Sequence, residues 1–301
     1  MSAKKKNELS LAFGGQAIME GVMIRSRRHM VMCVRKPSKE IAANIETINP
    51  LGERHKSLGV PFIRGIVGMA ESLYLGIKGI LFSANTALEG LTPQEEEPLK
   101  LSYKELAFVV LGVVGITAVF LLLPMFLATW LNLTGILFNV IEAIIRLTMF
   151  ILYLVAISMW GEFKRILMYH GAEHKAINAH EAGVPMDVEH VKVYSRLHPR
   201  CGTSFLFLVL IVSIVLYSIM PNLDFYYKIA YRIVLIPVIA GIAYELLRLS
   251  GKYKDSPVTR LLVAPGLLFQ RLTTKEPTDD MLEVSIKAVT ETTKLMQTQQ
   301  A

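Results

Sequence analysis

Long uninterrupted apolar runs constrain this chain more than any other feature. Leu106 to Leu131, Ile136 to Trp160, Ser204 to Met220 and Ile229 to Leu247 are almost purely hydrophobic. A helix rises about 1.5 Å per residue, so about 20 residues cross the ~30 Å hydrocarbon core of a bilayer. The first two and the last run meet that length, and 204–220 lies at its short end. The rest of the composition agrees: 52% of residues are hydrophobic, only 19% are charged, and the mean hydropathy is +0.43. An ordinary soluble domain is excluded. The expected class is mainly α: a polytopic helical membrane protein with about four transmembrane helices, interfacial helices and a small cytoplasmic α/β N-terminal region.

Lysine and arginine placement sets the orientation. Fifteen lie before Leu106, six in 161–203 and eight in 248–301, whereas the short connections 132–135 and 221–227 carry none. Both termini and the 161–203 loop are therefore expected in the cytoplasm. The net charge of +7 serves this topology rather than nucleic acid. The partner it predicts is the lipid bilayer. Cys33 and Cys201 supply no disulfide framework, as suits a cytoplasmic face. The stretch from Met1 to Glu8 has a positive start without an adjoining long apolar core and reads as a poor secretory signal.

The expected organisation is a glycine-rich α/β region over 1–58, interfacial amphipathic helices and an acidic linker over 59–105, and transmembrane helices 1–2 over 106–160. A cytoplasmic His/Cys region over 161–203, transmembrane helices 3–4 over 204–247 and a cytoplasmic tail over 248–301 follow. Gly14-Gly15 reads as a tight turn, and Met30 to Arg35 as a strand. No phosphate-binding glycine motif is present. Val60 to Phe82 is apolar, yet Arg64, Glu71 and Lys78 recur every seven residues. Lipid tolerates such charges poorly, so this segment is expected to lie on the membrane or pack inside the protein. Within the spans, Glu142 and Arg146 are four apart and pair, while Arg232 is expected to snorkel to the outer surface.

Chemistry concentrates between the second and third apolar runs. Tyr169-His170-Gly171-Ala172-Glu173-His174-Lys175 and His198-Pro199-Arg200-Cys201-Gly202-Thr203-Ser204 hold three of the seven histidines and one of the two cysteines. Phe163, Ile166, Leu167, His170, His174 and Ile177 fall on one helical stripe. His170 and His174, at i and i+4, put two imidazoles on one face, where they can grip one cation. The string from His170 to His174 also matches the H-x-x-E-H of inverted zinc peptidases, with Glu173 as the base. His198 and Cys201 are the obvious further ligands. Four protein ligands would close the site, and three would leave a position open for chemistry. His180, His190, Glu181 and Glu245 stand in reserve. Three other readings stay open: histidines that are merely core residues, a Cys201 nucleophile, and an anion held by Arg200 and the amides after it.

These two blocks, with Gly14-Gly15-Gln16-Ala17-Ile18-Met19-Glu20-Gly21-Val22-Met23, Ile239 to Glu245 and Pro265 to Pro277, resemble the signature blocks of the bacterial YqhQ-like family of integral membrane proteins. The resemblance covers nearly the whole chain in order. It implies the inner membrane of a bacterium, a domain of unknown function, and the family's label of predicted metal-dependent enzyme. It speaks against His180 as a ligand. The expected function is thus a metal-dependent enzyme, a hydrolase, in which His170, His174, His198 and Cys201 hold a divalent metal, zinc by ligand type, and Glu173 is the base. The alternative is a non-enzymatic accessory or regulatory subunit of a membrane complex such as the protein-translocation channel. Homo-oligomerisation is left open. A transporter lacks inverted-repeat symmetry.

Overall fold

A computed structural model of the chain describes residues 13–89, 103–220, 223–252 and 256–298. It begins with an antiparallel meander of four strands in the order β1 (Gly14–Ile18), β2 (Gly21–Arg25), β3 (His29–Arg35) and β4 (Ile41–Thr47). The acidic linker around Glu95–Glu97 lies outside the described residues.

Period-two alternation gives the sheet two apolar faces. Val22 pairs with Cys33 and Ile24 with Val31, and these side chains pack with Tyr169, Ala172 and Met281. Met23 pairs with Met32 on the opposite face, which is closed by Ile18, Met30, Val34 and Leu75. The strand expected at Met30 to Arg35 is present. Gly14-Gly15, expected as a turn, instead opens an edge strand.

Eight helices follow among the described residues, short turns at 51–59 and 188–191 aside: α1 (Ile63–Leu88), α2 (Tyr103–Trp130), α3 (Gly135–Met159), α4 (Gly161–Ala182), α5 (Gly202–Ser218), α6 (Phe225–Lys252), α7 (Pro257–Thr273) and α8 (Asp279–Thr298). Four of them, α1, α2, α3 and α6, are long and apolar enough to cross a membrane. The count matches the expectation, but its membership differs. α5 has only 17 residues, about 26 Å of helix. It nevertheless reaches the far end of the bundle, where Asn139 of α3 donates to the Ser218 carbonyl at 3.1 Å.

α1 combines spanning length with a face built for protein contact. Its three charges are all paired: Arg64 with Glu245, Glu71 with Arg25, and Lys78 with Glu46. Its glycines admit close neighbours. Gly65 lies against Tyr244 of α6, Gly76 against Gln16 and Gly79 against Ile18. α1 thus closes one face of the sheet, while α4 and α8 close the other.

The bundle of α2, α3, α5 and α6 encloses one charged cluster. Glu142 accepts from Arg146 and, at 2.6 Å, from Arg232, which also donates to the Leu121 carbonyl at 3.3 Å. The Tyr217 ring lies 4.7 Å from one guanidinium and 4.8 Å from the other. Arg232 is 0% exposed, so the expected snorkelling does not occur. Its position on α6 faces α3 rather than lipid, and the Glu142 carboxylate supplies the counter-charge that headgroups would otherwise provide.

At the other end of the bundle α3 gives way to α4 across a bend at Trp160, and α4 ends on Gly183 in the left-handed conformation. α7, the apolar tail segment too short to span, lies across this end. Its Phe269 packs on Phe150 of α3 and Phe207 of α5, and Gly266 fits against Ser204.

Candidate metal centre

Three elements meet at the membrane-proximal part of α4: the loop returning from α4, the start of α5 and the end of α7. The loop is fixed by polar side chains of α4. Asn178 donates to the carbonyls of Ser195 and Leu197, and Lys175 to that of Lys192. Gln270 of α7 accepts from the His198 amide at 2.8 Å and donates to the His198 carbonyl and the Ser204 hydroxyl.

This framework brings His170, His174 and Cys201 together, with one ligand atom from each lying within 4.8 Å of the others. They form a group that could hold a metal ion. His170 Nδ1 is 2.8 Å from the Thr273 carbonyl, and His174 Nδ1 is 2.7 Å from the Arg196 carbonyl. A carbonyl oxygen only accepts, so each Nδ1 carries a proton, and in the neutral ring each Nε2 presents a lone pair. Backbone orientation of this kind is usual behind metal-bound histidines. His170 Nε2 is 3.2 Å from Cys201 Sγ. Tetrahedral zinc spaces neighbouring nitrogen and sulfur ligands by about 3.5 Å, close to the 3.2 Å of this pair and inside the 4.8 Å that bounds all three donors.

The electrostatics suit a ligand set. Burial lowers the pKa of His174, which keeps its imidazole neutral. Burial pushes the Cys201 thiol up, while its contact with His174 and hydrogen bonds from Thr203 oppose this and leave the pKa lowered. The Thr203 amide approaches Sγ at 3.4 Å at the start of α5.

Glu173 adjoins the trio and is 3% exposed. Its Oε2 has no hydrogen-bond partner among the described residues. Burial pushes its carboxyl up to about 8, opposed by His170 and assisted by Cys201. Gly15 of β1 makes room for it: a Cβ there would lie 2.1 Å from Glu173 Oε1.

His198 stands apart from the trio. Its ring centroid is 5.8 Å from that of His174, and its Nε2 faces Glu181 Oε1 at 3.6 Å. The reserves have other work. His180 meets Thr293 at 3.1 Å, His190 faces Asp187, and Glu245 pairs with Arg64. Arg200 pairs with Glu181, which draws its charge away from any anion at the α5 start. On the predicted stripe, Phe163 is exposed whereas His174 and Ile177 are buried, because α4 joins the core against the sheet only from Met168 onward. Gly15, Gln270 and the Thr273 and Arg196 carbonyls escape sequence reading. A carbonyl leaves no residue signature, and the contacts come from 70 or more residues away along the chain in the Gln270–His198 case.

Comparison with known proteins places the chain without assigning it an activity. It is 36% identical over 310 residues to the uncharacterized protein YqhQ of Bacillus subtilis (strain 168), covering 96% of this chain and 95% of that one. No solved structure matches it. A family model described as a protein of unknown function (DUF1385) matches residues 60–295, a span that includes α4, Cys201 and α7. On that match, and on a relative aligned almost end to end, the chain belongs to the DUF1385 family.

Proposed function

We propose that the protein is a zinc-dependent membrane hydrolase whose site is formed by His170, His174, Cys201 and Glu173. One observation carries this reading: two imidazoles locked by backbone carbonyls converge with a buried cysteine, beside a buried carboxylate oxygen that has no partner among the described residues. Two nitrogen donors and one thiolate suit zinc among the common divalent ions. A divalent ion held there supplies Lewis acidity toward a carbonyl or phosphoryl oxygen.

This chain's own residues do the remaining work. The Thr273 and Arg196 carbonyls orient the ligands. Glu173 takes a proton from the attacking water as its oxygen bonds to the substrate centre, then returns it to the leaving group. Three ligands, with His198 outside the trio, favour an open position over a closed structural site. With α2, α3, α5 and α6 crossing and α1 lying against the N-terminal sheet, the lysine and arginine distribution supports an orientation with both termini and the 161–203 region in the cytoplasm. That orientation puts the site at the cytoplasmic membrane surface.

Elemental analysis of the purified protein tests the centre. The expected result is about one zinc per chain, lost in His174→Ala and Cys201→Ser and kept in Glu173→Gln. Cobalt substitution adds a second readout, a thiolate charge-transfer band absent from Cys201→Ser. Purified protein without stoichiometric metal, or full metal content in His174→Ala, would sink the proposal.

A further inference from the structure

We infer that the substrate is a polypeptide, bound in extended form along the outer edge of β1 as an added strand, with the bond to be cleaved beside Glu173. This inference rests on reading the trio as a metal centre. β1 ends the sheet order β1-β2-β3-β4, so β2 covers only one of its two edges. Alternate N–H and C=O groups of an edge strand point outward and offer a template for pairing. The backbone of Gly14–Ile18 has no hydrogen bond beyond its pairing with β2 among the described residues.

The sequence of this edge does nothing to discourage pairing. Gly-Gly-Gln-Ala-Ile carries no charge and no proline, the usual guards of an exposed edge. The opposite edge is treated differently, for Lys287 reaches the Ile41 carbonyl of β4 at 2.7 Å. Gly14 and Gly15 are exposed, and a Cβ on Gly14 would meet nothing within 4 Å. A segment pairing there would run about 5 Å from the β1 backbone.

The edge also leads to the chemistry. Gly15 is in contact with the Glu173 carboxylate, and Glu173 sits one residue from His174 on α4. One of the two glycines that leave the strand open, Gly15, therefore borders the group assigned to proton transfer. Main-chain pairing would make recognition tolerant of side-chain sequence and selective for extended conformation.

Binding of hydroxamate probes to the zinc-loaded full-length protein tests this without an activity assay. Isothermal titration would compare acetohydroxamate with a hexapeptide hydroxamate, each peptide nitrogen being methylated in turn. The expected result is at least about tenfold tighter binding of the peptide, given the backbone hydrogen bonds it adds. Methylation at alternate nitrogens should abolish the gain, while methylation at those between should spare it. Equal affinity for both probes, or a gain indifferent to which nitrogen is methylated, overturns the strand-pairing inference and leaves the metal centre standing. No metal and no binding of either probe overturns both.

Discussion

Replacing Glu173 with glutamine tests whether the fold maintains this carboxylate at the expense of stability. In the metal-free protein its pKa is raised from 4.5 to about 8, first by burial. Below pH 4.5 both folded and unfolded chains hold the proton, and the buried neutral acid is tolerated. As pH rises, the unfolded chain releases its proton while the folded chain keeps it, so unfolding gains. The stabilising contribution is therefore complete below the unfolded pKa and is lost as pH climbs through about 8. At about 1.4 kcal/mol per pH unit, that interval corresponds to at most about 5 kcal/mol. Glutamine keeps the shape and cannot ionise. The variant should match the parent near pH 4.5 and exceed it by several kcal/mol above pH 8. Unfolding midpoints in detergent with a chelator, followed by tryptophan fluorescence at pH 5 and pH 8.5, measure the difference. Equal pH dependence in both would refute the placement of this carboxyl group in the buried interior.

Gly171→Ala would gain up to about 1 kcal/mol of helix propensity, but its Cβ would fall 2.0 Å from the Lys275 carbonyl oxygen. The 273–277 segment must shift, carrying the Thr273 carbonyl away from His170, so zinc affinity should drop about 10- to 100-fold in a chelator competition. Glu142→Gln leaves two buried guanidiniums facing a neutral amide. It should destabilise the bundle by about 3 kcal/mol in denaturant titration, and a second change, Arg146→Gln, should restore part of that loss. Arg64→Gln removes a partly exposed pair with Glu245 and should change stability by less than about 1 kcal/mol.

The membrane class and most of the helices were legible because their physics is local. Hydrophobicity summed over about 20 residues decides whether a segment can leave water, and no distant contact is needed to see it. The i, i+4 spacing of His170 and His174 is likewise a property of one helix, as is the Glu142–Arg146 pair. What α1 does with its charges was not legible, since Arg25, Glu46 and Glu245 answer them from separate elements. Arg232 was misread for the same reason: the acid it meets is 90 residues away.

By itself, then, the sequence determined where the chain must be helical and apolar, and which residue types are available for a metal. Only the tertiary structure decided that Cys201 joins the two histidines while His198 turns to Glu181. It also decided that Gly15 gives its Cβ space to Glu173, on a strand edge where the sequence suggested a turn. Periodicity specifies which face of an element is buried. It carries no information about which face of another element arrives there, and a site is made by that second choice.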